Sequence, residues 1–123
     1  MLLKITAPTL PQLFEEAGRA LAELMAEQWT GDPAAATELV VVRALDREAL
    51  LVEWLNELVF RSETRERVYP YLRVTGLTDR ELQAQIRGAV PNLLRTAVKA
   101  ATYHRLQIAP STDGYTATVV LDV

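Results

Sequence analysis

The sequence has 123 residues, of which 50% are hydrophobic and 24% are charged, and this composition is typical of one globular domain with its own core. Its net charge of −3, from 13 basic and 16 acidic residues, opposes direct, tight binding of nucleic acid. The absence of cysteine excludes disulfides, thiolate nucleophiles and cysteine-ligated zinc, and no apolar run approaches the ~20 residues that span a membrane. We therefore expect a cytoplasmic protein with a single domain, residues 1–123.

The first part of the chain predicts a strand followed by a long helix. Residues 2–6 read as a short strand, and over residues 9–28 the apolar side chains recur at the spacing of one helical face. Thr9 and Gln12 form a capping-box pattern, and Pro11 stands in the first turn, where its missing N–H carries no cost. The turn-forming run WTGDP is expected to follow the end of this helix.

A second strand and helix are predicted next. The run ELVVVRAL, residues 38–45, is β-branched and apolar at successive positions, which favours a strand covered on both faces. Asp46 is placed to cap a helix over residues 47–60, and Glu57 and Arg61 form an i,i+4 ion pair on its polar side. The residues expected to form its buried stripe are Leu50, Leu51, Trp54, Leu55 and Leu58.

The following segments predict strands. Residues 66–76 are strand-like, with Pro70 marking an edge, a bulge or a break because proline cannot donate to a ladder. Residues 78–88 contain a capping pattern, but their apolar residues alternate with polar ones, so we predict a strand.

The C-terminal part predicts a short helix and a hairpin. The run PNLLRTAVKAA reads as a helix capped by Asn92, with Leu94, Val98 and Ala101 on one side. HRLQIA and YTATVVLDV then flank PSTDG, whose Asp-Gly pair favours a hairpin loop. Together the elements predict an α+β fold in which two long amphipathic helices pack on a mainly antiparallel β-sheet.

The candidate chemical groups do not form the constellation of an enzyme. His104 is the one histidine of the chain, no serine stands in a nucleophile-elbow sequence, and the five glycines form no phosphate-binding motif. We therefore predict a protein without catalytic activity of its own.

Lys99 is one of only two lysines and stands in the otherwise apolar run AVKAATYH. It is either a solvated surface charge or a cation for a phosphate or for a partner's carboxylate. The neighbouring side chains of Thr102, Tyr103 and His104 add hydroxyl and imidazole groups for hydrogen bonds.

The chain ends on two adjacent carboxylates, that of Asp122 and that of Val123. Carboxylate oxygens are the ligands that Ca²⁺ and Mg²⁺ prefer, so the pair is a candidate for part of a metal site, although two ligands do not complete one. The alternative is an exposed strand end with both charges in water. In this strand Val119, Leu121 and Val123 are expected to face the core.

Three runs, LLVEWLNELVF, VKAATYH and the terminal ATVVLDV, occur in an order and at a spacing that resemble the archease family, and TLPQLFEEAGRALAELM resembles the family's first helix. The resemblance implies a non-enzymatic protein cofactor that activates the tRNA-splicing type of RNA ligase. Such ligases join 2′,3′-cyclic phosphate or 3′-phosphate ends of RNA to 5′-hydroxyl ends, using GTP and Mn²⁺. The cofactor promotes guanylylation of the ligase active-site histidine and multiple turnover.

The same resemblance implies site residues and a partner. It implies a divalent metal, commonly calcium, bound by Asp122 and Val123, and a functional lysine at Lys99. Thr102, Tyr103 and His104 belong to the same motif and are expected to contribute to ligase activation. The expected partner is an RNA ligase, with no membrane and no direct, tight nucleic-acid binding.

The chain departs from the family pattern at its start, and other functions stay open. Archeases usually begin with a His-Thr-Ala-Asp-like segment whose Asp adds a metal ligand, and Met1 aligns just after that segment. We therefore expect a truncated or misassigned start, or a weakened metal site. The segment Gly88–Val98 is also shorter than usual. A general chaperone is the main alternative function, and a small metal-dependent hydrolase is a third.

Overall fold

The computed structural model of the chain describes residues 1–93 and 97–123. Its first helix, α1, spans Leu10–Met25 and follows Thr9, whose Oγ1 accepts a hydrogen bond from the backbone N–H of Gln12 at 3.3 Å. The predicted capping residue is therefore confirmed, because Thr9 satisfies one of the N–H groups that the first turn leaves without a partner. The apolar face of the helix is buried, with Leu13 and Phe14 fully inaccessible to solvent.

The second helix, α2, spans Arg47–Arg65 and follows Asp46, whose carboxylate accepts a hydrogen bond from the N–H of Ala49 at 2.8 Å. Trp54 joins the two helices, since its indole N–H donates to the carbonyl oxygen of Phe14 at 2.8 Å in the core. The side chains of the predicted stripe, confirmed as buried, are Leu50, Leu51, Trp54, Leu55 and Leu58.

Within residues 1–93 and 97–123, seven strands form two antiparallel sheets. In chain order they are β1 (Leu2–Ala7), β2 (Trp29–Gly31), β3 (Glu38–Arg43), β4 (Val68–Leu77), β5 (Glu81–Pro91), β6 (Ala100–Ser111) and β7 (Gly114–Asp122). The first sheet has the order β1-β7-β6, and in the second β5 pairs with β2, β3 and β4. Helix α1 packs against β4 and β1, and α2 against β6 and β3, so the core lies between helices and sheets. The predicted α+β fold is confirmed, with two sheets in place of one.

Strand β3 differs from its prediction. Val40 and Val42 are buried, but the alternate residues Leu39 and Val41 are 72% and 50% exposed. The expectation that this strand is covered on both faces is wrong, because the helices cover only the inner face of the sheet. The apolar residues on its outer face are exposed.

The predicted short helix of residues 91–101 is wrong where the structure describes it. Ala100 and Ala101 begin strand β6 and pair with Asp122 and Leu121 of β7. Leu94 lies outside the described residues. Pairing with the last strand outweighs the local helical pattern, as tertiary context commonly does for short segments.

The other strand predictions hold. Residues 81–87 alternate between exposed and buried positions in β5, and the ladder of β4 shifts register between Val68 and Tyr71, around Pro70. The hairpin turns at Thr112 and Asp113, between Ser111 and Gly114. No helix in residues 1–93 and 97–123 is long and apolar enough to cross a membrane.

Candidate functional site

The structure brings Lys99 to the end of β7. The backbone N–H of Lys99 donates to the carbonyl oxygen of Asp122 at 2.8 Å, one residue before the pair Ala100–Asp122 opens the β6–β7 ladder. The side chains of Lys99, Asp122 and Val123 are exposed. One corner of the first sheet therefore carries Lys99 and Asp122 on adjacent backbone segments, followed by Val123, and we call these three residues the charged corner.

The anchoring of this corner depends on the residues before it. Val119 and Leu121 are fully buried, as expected, and fix β7 in the sheet. Val123 follows the strand and is 50% exposed, so the expectation that its side chain faces the core is wrong. The strand is held in the sheet up to Asp122, and Val123, the residue after it, is exposed.

Asn56 of α2 fixes the start of β6 from the other side. Its Oδ1 accepts from the backbone N–H of Ala101 at 2.7 Å, and its Nδ2 donates to the carbonyl oxygen of Ala101 at 3.3 Å. One side-chain amide therefore satisfies both backbone groups of a residue two positions after Lys99. The position of the charged corner is consequently set by α2 as well as by β7.

Strand β6 bulges away from β7 directly after this anchor. Thr102 pairs with Val120, but the next pair is Gln107 with Thr118, so several residues of β6 stand opposite one residue of β7. Arg105 adopts a left-handed backbone conformation with φ of 54° in this segment. A bulge changes the direction in which the side chains of a strand point, and the residues of this bulge include Tyr103 and His104.

Tyr103 reaches across the bulge to α2. Its hydroxyl donates to Oε1 of Glu53 at 3.0 Å, although the tyrosine is 58% exposed. This hydrogen bond, helped by partial burial and by the negative charges of Glu53 and Asp46, raises the pKa of Tyr103 above the ordinary value of a tyrosine. Tyr103 and Glu53 also line a groove of about 600 Å³ beside the start of α2.

The remaining predicted site residues lie apart from the charged corner. Thr102 is half-buried and donates from its Oγ1 to the carbonyl oxygen of Val120 at 3.2 Å, a bond within the sheet. His104 is exposed in the bulge. The structure thus brings Lys99, Asp122 and Val123 together and sets Tyr103 and His104 on a neighbouring surface.

The fit of the charged corner to a metal ion is incomplete. Calcium takes six to eight oxygen ligands, and the corner offers the carboxylates of Asp122 and Val123. The carbonyl oxygen of the preceding residue, Leu121, is already engaged, because it accepts a hydrogen bond from the Met1 ammonium at 3.0 Å. Within residues 1–93 and 97–123 no three His, Asp or Glu side chains cluster closely enough to hold a metal. The described residues therefore supply only part of the ligand set that calcium takes.

Sequence reasoning missed the two α2 residues that support this region. Neither Glu53 nor Asn56 was assigned a role in the candidate site. A detectable signal for Asn56 was a single amide between the buried residues Leu55 and Leu58, a position where an unpaired polar group would be costly.

Comparison with known proteins gives a consistent result. The model of the archease protein family matches residues 1–123. A protein of Methanosarcina barkeri named "Protein archease" is 31% identical over 125 residues, covering 94% of this chain and 84% of that protein. One from Methanothermobacter thermautotrophicus with the same name is 29% identical over 122 residues, covering 93% and 85%. These names state no catalytic activity.

Solved structures share the fold. A crystal structure from Thermotoga maritima, described as an archease and possible chaperone, has a TM-score of 0.74 at 20% identity and covers 100% of this chain and 90% of its own. A protein of Methanobacterium thermoautotrophicum solved in solution has a TM-score of 0.67 at 23% identity, with coverages of 99% and 89%. At these identities the likeness concerns the fold alone.

Proposed function

Because the chain belongs to the archease family, we propose that it is a protein cofactor that activates a GTP-dependent RNA ligase. In this proposal it binds the ligase and promotes guanylylation of the ligase active-site histidine, and so multiple turnover in tRNA splicing or RNA repair. Membership of the family supports the general role of a protein that acts on another protein. The identity of the partner and the residues involved belong to the proposal.

The observation that carries the residue assignment is the hydrogen bond between the N–H of Lys99 and the carbonyl oxygen of Asp122 at 2.8 Å. It holds the backbone of Lys99 against that of Asp122, and the side chains of both residues are exposed. A lysine ammonium is a compact charge suited to a phosphate or to a carboxylate of a partner protein. In the proposal Lys99 contacts the ligase or its bound nucleotide, and the carboxylates of Asp122 and Val123 orient that contact.

A divalent cation is a separate part of the proposal. Calcium at Asp122 and Val123 would need further oxygens from water or from the partner, because these two residues supply too few. Tyr103 and His104 would extend the contact surface along the bulge. Thr102 would act indirectly, since its hydroxyl bonds within the sheet.

The test measures guanylylation of a purified RNA ligase with GTP and Mn²⁺, with and without this protein. We expect Lys99→Ala and Asp122→Ala to fold normally and to lower stimulation to the level of the ligase alone. Lys4→Ala is the matched control, because Lys4 is the other lysine and lies exposed on β1. Full stimulation by both corner variants would refute the assignment of these residues, and no stimulation by the unmodified protein would refute the function.

A general chaperone is the second candidate, and exposed apolar side chains favour it. Leu45 is 88% exposed, Leu93 74% and Phe60 62%. A chaperone of this kind would suppress thermal aggregation of unrelated proteins at substoichiometric amounts. If the protein is such a chaperone, its Lys99→Ala variant should suppress aggregation as well as the unmodified protein does. If it is a ligase cofactor, the same variant should lose its stimulation of the ligase.

A further inference from the structure

The outer face of the second sheet carries a group of positively charged and aromatic side chains. This group lies on a different sheet from the charged corner. Tyr71 of β4 stands directly opposite Arg87 of β5, and Arg73 stands opposite Gln85 in the same ladder. All four side chains are exposed, Tyr71 at 48%. Arg19 of α1, which packs against β4, lines one groove together with these four residues. We call Arg19, Tyr71, Arg73, Gln85 and Arg87 the outer-face group.

The outer-face group lines two grooves that share Tyr71 and Arg87. One groove, of about 370 Å³, is lined by the whole group and by Thr37. The other, of about 500 Å³, is also lined by Asp32 and Pro33. A ligand that occupies both grooves would therefore pass over Tyr71 and Arg87.

The arginines of this group are available to a ligand. The ion pairs of the described residues involve other arginines, and none joins Arg19, Arg73 or Arg87 to a carboxylate. Asp32, an acidic residue that lines the second groove, already accepts from the N–H of Ala34 at 2.9 Å and lies 3.5 Å from Arg67. Three cations therefore face solvent on one surface of a protein whose net charge is −3.

We propose that the outer-face group binds single-stranded RNA. The three guanidinium groups would contact phosphates, which provide most of the affinity in non-specific binding. The ring of Tyr71 would stack on an unpaired base, and the amide of Gln85 would reach a base edge. Tyr71 and Arg87 are cross-strand neighbours, with Cβ atoms about 5 Å apart, so one base and one phosphate of the same nucleotide are within their reach.

The combination of groups favours RNA over an acidic protein. Single-stranded RNA would use both kinds of group at once, because its phosphates pair with guanidinium groups and its unpaired bases stack on an aromatic ring. The overall negative charge confines the attraction to this face and keeps the binding weak, with Kd expected in the range ~10⁻⁴–10⁻⁶ M at physiological salt. The proposal is independent of ligase activation, because none of its residues belongs to the charged corner.

The experiment is a fluorescence anisotropy titration of a labelled single-stranded RNA of about ten nucleotides at low salt. We expect saturable binding that Tyr71→Ala and Arg87→Gln each weaken about tenfold, while Tyr71→Phe, which keeps the ring, changes it less than about twofold. Contact with three phosphates predicts a slope of about −2 for log K against log salt concentration. Circular dichroism verifies that these surface variants fold.

Controls separate the alternatives. Arg105→Gln removes an exposed arginine of the bulge, and Lys99→Ala removes the charged-corner lysine; both variants should bind RNA as the unmodified protein does.

Absence of RNA binding, or equal RNA binding by Tyr71→Ala and the unmodified protein, would overturn the proposal. Equal affinity for a labelled polyglutamate peptide, lost in Arg87→Gln but retained in Tyr71→Ala, would instead identify an acidic protein as the ligand. Tighter binding of blunt double-stranded RNA would also overturn it.

Discussion

The side-chain amide of Asn56 bonds both the N–H and the carbonyl oxygen of Ala101, at 2.7 and 3.3 Å. An amide that pairs with both backbone groups of one residue imitates a neighbouring strand. Helix α2 thereby holds strand β6 in the way a further strand would, at the point where β6 approaches Lys99. This contact therefore contributes both to the packing of α2 on β6 and to the position of the candidate site.

Replacing Asn56 tests that coupling. Asn56→Ala leaves two partly buried backbone groups without their partner and should lower the free energy of unfolding by about 1–3 kcal/mol. Asn56→Asp keeps the acceptor for the N–H of Ala101 but loses the donor, so we expect a smaller loss. Urea unfolding measures both values. An unchanged midpoint for Asn56→Ala would show that the contact does not hold the strand.

Gly114 tests the packing of the hairpin against the first strand. Its φ is 144°, and a Cβ there would lie 2.2 Å from the carbonyl oxygen of Ala7. Because both the conformation and the backbone contact exclude a side chain, Gly114→Ala should cost about 3 kcal/mol or more. Gly31→Ala is the control: a Cβ at Gly31 meets nothing within 4 Å, and we expect a change within about 0.5 kcal/mol. Thermal unfolding compares the two.

The pair of Tyr103 and Glu53 predicts a response to alkaline pH. The pKa of Tyr103 is raised because its hydroxyl donates to Glu53, so the hydrogen bond favours the folded protein below the ordinary tyrosine pKa and is lost as pH rises through the higher folded value. Glu53→Gln should return the pKa towards the ordinary value. Phenolate absorbance measures this, with Tyr103→Phe identifying the signal among the four tyrosines.

Identical titration of Tyr103 in the unmodified protein and in Glu53→Gln would contradict the assigned cause. The effect on stability is expected to be small, because the tyrosine is 58% exposed and solvent weakens the interaction.

The helices and most strands were predictable because local chemistry and tertiary packing agree there. Thr9 and Asp46 cap the helices as their side chains dictate, and the alternation in residues 81–87 matches a sheet with one covered face. Residues 100 and 101 were predicted in a helix because the pattern in that segment is helical. Their pairing with β7, and the amide of Asn56, decide the structure instead.

The candidate site was predictable only in part. The adjacency of Lys99, Asp122 and Val123 follows from the ladder of β6 and β7, which no local pattern specifies. The outer-face group could not be predicted at all, since Arg19, Tyr71 and Arg87 come from three elements. Only the register of β4 on β5 and the packing of α1 bring them to one surface.

The pairing of β1 with β7 has a consequence for how the protein folds. Leu2 lies opposite Val120, and the hydrogen bond between Met1 and Leu121 joins residues 120 positions apart. Contacts so distant in sequence form late, because the entropy of closing the intervening chain opposes them, and topologies rich in such contacts fold slowly. During synthesis, β1 has no partner until β7 has emerged from the ribosome. We therefore expect β1 to remain an exposed strand edge until β7 is available, and during this interval the unpaired edge favours aggregation of the nascent chain.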